Sequence, residues 1–187
     1  MSIPMQPVYY NDEHVSVGYE QIQILSKHFL EDNTCDQLIA KYDTNFKLVN
    51  QIDNNTDLIR LVNIKIINID EITGLKNQIL SANFEHYKFN IDILRFDCFF
   101  GKYETGMHYK RLHMDCIPGN SQRKLSFSLI LTNDFEGGAF ELLNNSYIEQ
   151  EKGKLLVFPS FLPHAITPVV SGIRYVVFGW VYGPNFV

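Results

Sequence analysis

The chain has 187 residues, of which 45% are hydrophobic and 20% are charged, and its formal net charge is −5. This length is enough for one domain with a buried core, and the hydrophobic and aromatic content excludes an intrinsically disordered chain. The negative charge argues against a nucleic-acid-binding surface, which would need a basic stripe. We therefore predict one globular domain that spans residues 1–187.

The three cysteines, Cys35, Cys98 and Cys116, form an odd set without the spacing of a zinc site. This pattern is typical of a reducing, cytoplasmic compartment. The first fourteen residues, MSIPMQPVYYNDEH, lack the charged start and apolar run of a signal peptide. No apolar run is long enough to cross a membrane. We expect a cytoplasmic protein without a membrane partner.

The first part of the chain mixes strand and helix signals. The segment VSVGYEQIQIL predicts an edge strand. Thr34, or Asn33, is a candidate helix cap, and Gln37 stands three residues after Thr34 as in a capping box. An amphipathic helix is predicted there, because one helical face would carry Leu38, Ile39, Tyr42 and Phe46.

Three further signals precede the C-terminal half. The polar residues of 50–57, which include QIDNNTD, predict a loop. The β-branched residues of LIRLVNIKIINID favour a strand over a helix. Asp70 is a candidate N-cap for a second helix that passes Leu75 and Ile79 and ends near Asn83, with Gly74 inside it.

After Tyr87 the sequence consists of short apolar segments separated by turn residues such as IPGNSQ and NDFEGG. The segments are FNIDILRFDCFF, GMHYKRLHMD, KLSFSLILT, AFELL, SYIEQ, GKLLVFP, HAITPVV and IRYVVFGWVY. Two of them, AFELL and SYIEQ, are predicted to pair as a hairpin across Asn144 and Asn145. Short strands at regular spacing indicate a sandwich or barrel. The predicted fold is mainly β with supporting helices (α+β): residues 91–187 form the core, and residues 1–90 support it.

Two histidines and one aspartate in this β half form a candidate metal site. His113 and Asp115 are two residues apart, so on a strand their side chains share a face, and His164 follows 49 residues after Asp115. Two imidazoles and one carboxylate in a facial arrangement are the ligands of non-haem Fe(II) oxygenases. His108 is a competing ligand, ranked lower because on a regular strand it faces away from His113.

Arg174 stands ten residues after His164 within an apolar strand. A buried guanidinium without a partner is costly, and its planar fork suits a carboxylate. We therefore expect Arg174 to bind an anion. Each of these features is weak alone, since an H-x-D spacing arises readily by chance. Their combination and order carry the prediction.

Residues 91–184 resemble the catalytic core of the Fe(II)- and 2-oxoglutarate-dependent dioxygenases, in the prolyl 4-hydroxylase-like branch. The matching features are Tyr103-x-x-Gly106-x-x-Tyr109, His113-x-Asp115, LSFSLILTNDFEGGAFEL, and a final segment with His164, Pro168, Val169, Gly172, Arg174 and Trp180. The resemblance implies a double-stranded β-helix (jelly roll) core with the N-terminal helices packed on one sheet.

The resemblance also implies the chemistry of the site. His113, Asp115 and His164 would ligate Fe(II), Arg174 would bind the far carboxylate of 2-oxoglutarate, and Tyr103 would donate a hydrogen bond to this cosubstrate. Tyr109 is a second cosubstrate candidate, but it lies four residues before His113 where many relatives have three. With O2, and ascorbate as an optional reductant, such an enzyme hydroxylates a prolyl or other amino-acid residue of a protein or peptide, or a free amino acid. The other products would be succinate and CO2.

Several alternatives stay open. The same iron centre would serve an oxidative demethylase of nucleic acid, which the acidic composition disfavours, and a similar barrel would serve a cupin-like module that binds a metal or ligand without catalysis. Five cations near the site are interpreted as a solvated rim rather than a binding patch: Lys102, Lys110, Arg111, Arg123 and Lys124. Trp180 is interpreted as barrel core rather than a substrate platform, and Gly137 and Gly138 as a tight turn rather than a backbone approach to substrate.

Overall fold

A computed structural model describes residues 14–16, 23–53, 57–117, 119, 121–143 and 146–186. Two helices in this part of the chain are α1 (Asp32–Tyr42) and α2 (Leu75–Ala82). Shorter helical turns span Ile69–Glu71 and Asn83–Tyr87. The strands are β1 (His14–Ser16), β2 (Gln23–His28), β3 (Lys47–Ile52), β4 (Leu58–Ile66), β5 (Phe96–Tyr103), β6 (Tyr109–His113), β7 (Arg123–Ile130), β8 (Phe135–Gly137), β9 (Phe140–Leu142), β10 (Ser146–Ile148), β11 (Lys154–Pro159), β12 (His164–Ile166), β13 (Val169–Gly172) and β14 (Arg174–Tyr182).

The strands form two main sheets. The large sheet has eight strands in the order β1-β2-β11-β7-β14-β5-β4-β3, and the small sheet has four in the order β10-β9-β12-β6. Strands β13 and β8 form a separate pair. The predicted mainly β fold is confirmed, and so is the β9–β10 hairpin, in which Ser146 pairs with Leu142. Its turn residues, 144 and 145, lie outside the described residues.

The central strands of the large sheet alternate between two environments, as the period of two along a strand requires. On β7, Leu125, Phe127 and Leu129 belong to the same apolar cluster as Leu38 of α1 and Ile79 of α2. Ile130, on the opposite face of β7, belongs to a second apolar cluster with Phe140 and Leu142 of the small sheet. The two helices thus cover the outer face of the large sheet, as predicted for the N-terminal helices.

The predicted starts of both helices are wrong. Helix α1 begins at Asp32, and its N-cap Glu31 accepts the backbone N–H of Thr34, so neither Thr34 nor Asn33 is the cap. Helix α2 begins at Leu75, because Gly74 adopts a left-handed conformation (φ 81°) that interrupts the helix. Asp70 lies instead in a short helical turn that the side chain of Asn68 caps by accepting its N–H at 3.0 Å.

Two predicted connections are strands. Residues 50–52, predicted as loop, complete β3, which pairs with β4 through Gln51 and Arg60. A polar sequence is tolerated there because β3 is an edge strand with exposed side chains. Residues 54–56 lie outside the described residues.

The predicted turn NDFEGG contains β8, which pairs with β13. Gly137 has φ 73°, and an added Cβ would lie 2.2 Å from the backbone oxygen of Pro168, so glycine permits this close pairing. The two glycines therefore bring β8 against β13, and Gly138 packs beside the Arg174 side chain. Residues 17–22 of the first predicted strand lie outside the described residues.

The predicted division into a supporting region (1–90) and a core (91–187) stays a prediction, although β2, β3 and β4 are hydrogen-bonded into the large sheet with later strands.

Across the described ranges, no helix combines the length and apolarity needed to span a membrane.

Candidate metal centre

Two neighbouring strands of the small sheet bring the predicted metal ligands together. His113 is the last residue of β6, His164 is the first residue of β12, and the two are direct cross-strand partners. Asp115 follows where the chain leaves β6. Its backbone N–H, like that of Cys116, donates to the Ser160 carbonyl at 2.9 Å. The turn is therefore fixed, and the carboxylate points back toward both imidazoles.

The side-chain geometry fits a single metal ion. The Nε2 atom of His113 lies 3.8 Å from Oδ1 of Asp115, and Nε2 of His164 lies 3.5 Å from Oδ2. The potential ligand atoms of the three residues all lie within 4.8 Å of one another. Within the described ranges, no other group of three histidine, cysteine or acidic side chains is arranged in this way.

Backbone carbonyl groups set the tautomer of each imidazole. Nδ1 of His113 lies 2.9 Å from the Arg111 carbonyl, and Nδ1 of His164 lies 2.9 Å from the Leu162 carbonyl. A carbonyl only accepts, so each Nδ1 carries the proton and each Nε2 presents a lone pair to the site. Burial, reinforced by the neighbouring His164, lowers the pKa of His113 to about 4. His113 is therefore neutral near pH 7, the form that binds a metal.

Asp115 is buried and ionised. Ser126 Oγ donates to Oδ2 of Asp115 at 2.7 Å, and Ser160 Oγ lies 3.0 Å from Ser126 Oγ. Burial alone would raise the pKa of Asp115, but the adjacent His164 and His113, with side-chain hydrogen bonds from Trp180 and Ser126, hold it below its ordinary value. One carboxylate and two imidazoles form the donor set that suits Fe(II).

His108 lies outside this cluster. Its side chain is buried, and its Nδ1 accepts the backbone N–H of Lys110 at 3.3 Å. The structure therefore keeps the competing histidine apart from the metal-ligand group.

Arg174 is fully buried, at 1% exposure, and it has a partner that the sequence did not indicate. Its Nε and Nη2 donate to Oε1 of Gln150 at 2.9 and 2.7 Å. The Nε2 of Gln150 donates in turn to the Gly138 carbonyl at 2.8 Å, which fixes the amide. Burial lowers the pKa of Arg174 to about 10, so the guanidinium stays charged near pH 7. Its Nη1 has no acceptor in the described part of the chain, which leaves a donor for a ligand.

The two predicted cosubstrate tyrosines contact different groups of the site. Tyr103 is the cross-strand partner of Arg174, with the guanidinium carbon 5.1 Å from its ring centre, and burial raises its pKa. Tyr109 stacks on the His113 imidazole with ring centres 3.6 Å apart. The aromatic face of Tyr109 thus supports a metal ligand. Its role toward the cosubstrate stays a prediction.

One cleft unites these residues, because the three predicted metal-ligand side chains, Arg174, Tyr103 and Tyr109 all line it. Trp180 lines it too and is partly exposed, so the interpretation of Trp180 as barrel core is incomplete. The sequence placed Trp180 on the face of Arg174, but it gave no sign of the hydrogen bond to Asp115.

Each of the five cations near the site has a partner. Three of them pair with carboxylates: Lys102 with Asp43 at 3.1 Å, Lys110 with Asp57 at 3.0 Å and Arg111 with Asp53 at 3.5 Å. The others lie over aromatic rings, Arg123 on Trp180 at 3.6 Å and Lys124 on Phe186 at 3.3 Å. This arrangement agrees with paired cations rather than a free basic patch, but the predicted solvated rim is wrong for Lys124, which is buried.

Comparisons with known proteins show which family this part of the chain resembles. Residues 98–182 match the family model described as the 2OG-Fe(II) oxygenase superfamily, and this range contains all six predicted site residues. A PKHD-type hydroxylase of Synechococcus sp. (strain CC9311) is 41% identical over 75 residues, which cover 37% of this chain and 34% of the relative. The chain thus spans about a third of the length of this curated relative.

Two solved structures share the fold. The crystal structure of a Pseudomonas putida prolyl-4-hydroxylase has a TM-score of 0.69 at 23% identity, covering 87% of this chain and 93% of that one. The viral collagen prolyl hydroxylase from Paramecium Bursaria Chlorella virus-1, in its 2OG complex, has a TM-score of 0.60 at 18% identity and covers 86% and 96% of the two chains. The predicted resemblance is confirmed: residues 98–182 match the 2OG-Fe(II) oxygenase superfamily, and the chain shares the fold of solved prolyl hydroxylases.

Proposed function

We propose that this chain is an Fe(II)- and 2-oxoglutarate-dependent dioxygenase that hydroxylates a C–H bond of a prolyl or other amino-acid residue in a peptide or protein. Succinate and CO2 would be the other products. The observation that carries the proposal is the joint presence, in one cleft, of the three metal-ligand side chains and the buried Arg174. A metal-binding module without catalysis has no need for a buried guanidinium beside its metal.

His113, Asp115 and His164 would hold Fe(II) through two Nε2 atoms and one carboxylate oxygen. These three donors come from one turn and two adjacent strands, so they leave the cleft side of the ion open. Fe(II) bound in this way, together with 2-oxoglutarate and O2, supplies the oxidant for C–H hydroxylation. The protein's task is to orient the reactants and to keep water away from them.

Arg174 would bind the far carboxylate of 2-oxoglutarate through its remaining donor, Nη1. Gln150 holds the guanidinium by two hydrogen bonds, so the fork is oriented before the cosubstrate arrives. Tyr103, which is buried beside Arg174, would add a hydroxyl donor. Since both side chains are buried, the attraction of the guanidinium for a carboxylate is screened little by solvent.

Apolar rings form the wall behind the metal ligands. Phe140 lies parallel to the His164 imidazole with ring centres 5.3 Å apart, and Phe158 meets the same imidazole edge-on at 5.0 Å. Both phenylalanines are 2% exposed. They restrict rotation of the imidazole and exclude water from the inner side of the site.

A peptidyl or amino-acid substrate is favoured over nucleic acid. The two structural neighbours are described as prolyl hydroxylases, and the five cations that the sequence placed near the site have partners within the protein. Nucleic acid binding depends on free cations that neutralise phosphates. The three cysteines carry free thiols, which agrees with a reducing compartment and supports a cytoplasmic location as part of the proposal.

Anaerobic titration with Fe(II), with and without 2-oxoglutarate, tests the proposal. The ternary complex should develop a visible charge-transfer band, and admission of O2 should yield succinate. His113→Ala should abolish both signals, because it removes one of three ligands. His108→Gln, which alters the histidine outside the cluster, should keep them. Absence of band and succinate in the wild-type protein would refute the enzyme assignment.

A further inference from the structure

Arg60 is a cleft residue that the proposed function does not use. It lies on β4 and lines the same cleft as the metal ligands. Its backbone is well fixed, because the adjacent Leu61 exchanges hydrogen bonds of 2.8 and 2.9 Å with His108 at the start of β6. Arg60 is therefore held by a strand of the large sheet and not by a surface loop.

Two contacts relate Arg60 to the metal ligands. Its guanidinium carbon lies 5.0 Å from the centre of the Tyr109 ring, and this ring stacks on the His113 imidazole at 3.6 Å. A single aromatic side chain thus separates the guanidinium from a metal-binding imidazole. A molecule that reached both the metal and Arg60 would have to be small, or would have to place two groups only a few bonds apart.

The side chain of Arg60 makes no hydrogen bond to any residue that the structure describes. Its Nε is buried and has no acceptor, and the described residues place no carboxylate within ion-pair distance of it. Two other arginines near the metal ligands differ, since Arg174 is bound by Gln150 and Arg111 pairs with Asp53. Contact with the Tyr109 ring stabilises the positive charge of the Arg60 guanidinium but provides no hydrogen-bond acceptor for its N–H groups. Buried donors are almost always paired in folded proteins, so this one indicates a missing ligand.

We propose that Arg60 binds a carboxylate of the substrate, close to the carbon that is hydroxylated. This inference rests on the proposed function, in which Arg174 already holds the far carboxylate of the cosubstrate. A second guanidinium with free donors then calls for a second anionic group, because arginine binds carboxylates through two parallel hydrogen bonds. The carboxylate belongs either to a free amino acid or to an acidic side chain beside the target residue of a peptide.

Binding to protein loaded with Zn(II) in place of Fe(II), in the presence of 2-oxoglutarate, isolates recognition from turnover. Calorimetry would compare L-proline with L-prolinamide, and a blocked Asp-Pro dipeptide amide with its Asn-Pro counterpart. The acid-bearing member of one pair should bind roughly 10- to 100-fold more tightly, as expected for a charge-assisted contact. The pair that shows this preference identifies the source of the carboxylate.

Arg60→Gln should abolish the preference, and Arg60→Lys should retain part of it because the charge remains. Arg111→Gln is the matched control: it removes the same charge from β6, where the Arg111 side chain is exposed and outside the cleft, and it should keep the full preference. Thermal melting of each variant verifies that it is folded.

Three results would overturn the inference: no preference within either pair, an equal loss in Arg60→Gln and Arg111→Gln, or a loss of 2-oxoglutarate affinity in Arg60→Gln with probe binding unchanged. Failure of the proposed function is a separate observation, since it is the absence of succinate from the wild-type Fe(II) protein. The Zn(II) measurement needs no turnover, so the two failures are distinguishable.

Discussion

The two faces of the large sheet differ sharply, although the same strands build both. On the outer face, Phe127 of β7 and Val177 of β14 are packed against α1 and α2 in an apolar cluster. On the inner face the same strands present Ser126 and Arg174, which are almost fully buried and polar. The outer side chains need only fit together, whereas each inner polar group needs a particular partner.

This difference separates stability from function within one sheet. Burial of apolar area supplies most of the free energy of folding, and the outer face supplies it without constraint from chemistry. The inner face carries the Arg174 guanidinium and covers the carboxylate and two imidazoles that the small sheet presents. These polar groups favour folding little and suit ligand binding instead. Substitutions on the two faces should therefore have different consequences.

The largest effect on stability is expected from Phe100→Ala on the outer face. Phe100 is fully buried on β5 and contacts the rings of Tyr42, Phe46 and Tyr175. Its removal leaves a cavity, and the free energy of unfolding should fall by about 3–5 kcal/mol. Urea denaturation measures this loss. The Fe(II) and 2-oxoglutarate band of the folded fraction should stay unchanged, since Phe100 does not line the cleft.

Phe84→Ala is the matched control for that cavity, because Phe84 is 76% exposed and should change stability by less than about 0.5 kcal/mol. If Phe100→Ala removed the metal-dependent band at temperatures where the protein remains folded, the separation of the two faces would be wrong.

A smaller effect, confined to cosubstrate affinity, is expected from Arg174→Ala on the inner face. Loss of the guanidinium should weaken 2-oxoglutarate binding by about 100-fold, on the scale of one charge-assisted contact. Fe(II) affinity should change far less, because Arg174 is not one of the metal-ligand residues. Separate anaerobic titrations of metal and cosubstrate measure the two affinities. Equal loss of both would contradict the role of Arg174.

Gln150→Glu tests the contact between Arg174 and 2-oxoglutarate without removing the arginine. The new carboxylate would take the position of the amide oxygen that lies 2.7 Å from Nη2, and it would satisfy the guanidinium as an ion pair. We expect it to weaken 2-oxoglutarate binding as well, because the cosubstrate would have to compete with an internal carboxylate for one cation. Tighter binding of 2-oxoglutarate would show that Gln150 does not orient Arg174.

The sequence predicted those parts of the site that depend on local periodicity. The spacing of His113 and Asp115 placed two ligands on one face, and the apolar surroundings of Arg174 indicated a buried cation. Gln150 and Arg60 escaped prediction: Gln150 is a polar residue in a polar segment, Arg60 is a cation within the apolar strand β4, and the contacts of each arise across the fold. Their neighbours in sequence carry no signal of those contacts.

The same distinction holds for the fold. The short apolar segments predicted the strands of the β half, since alternation is a local property of the chain. The start of α2 was misplaced because Asp70 resembles a cap, whereas the left-handed Gly74 decides where the helix begins. Strand β3 was missed because pairing with β4 makes a strand of polar residues whose own preference is for a loop.

The smallest effect is expected from Ser126→Ala, beneath the metal ligands on the inner face. Ser126 donates to Asp115 at 2.7 Å and is the cross-strand partner of Trp180, which also interacts with that carboxylate. Loss of one hydrogen bond that orients a ligand should weaken Fe(II) binding by about tenfold, and chelator competition under anaerobic conditions measures the change. Ser128→Ala is the control on the same face of β7, because Ser128 is equally buried and makes no hydrogen bond to Asp115 within the described residues. Equal weakening of Fe(II) binding in both variants would mean that the inner face affects the metal ligands through packing alone. A selective loss in Ser126→Ala would show that the polar groups behind the site position its ligands, which is the property that sets this face apart from the outer one.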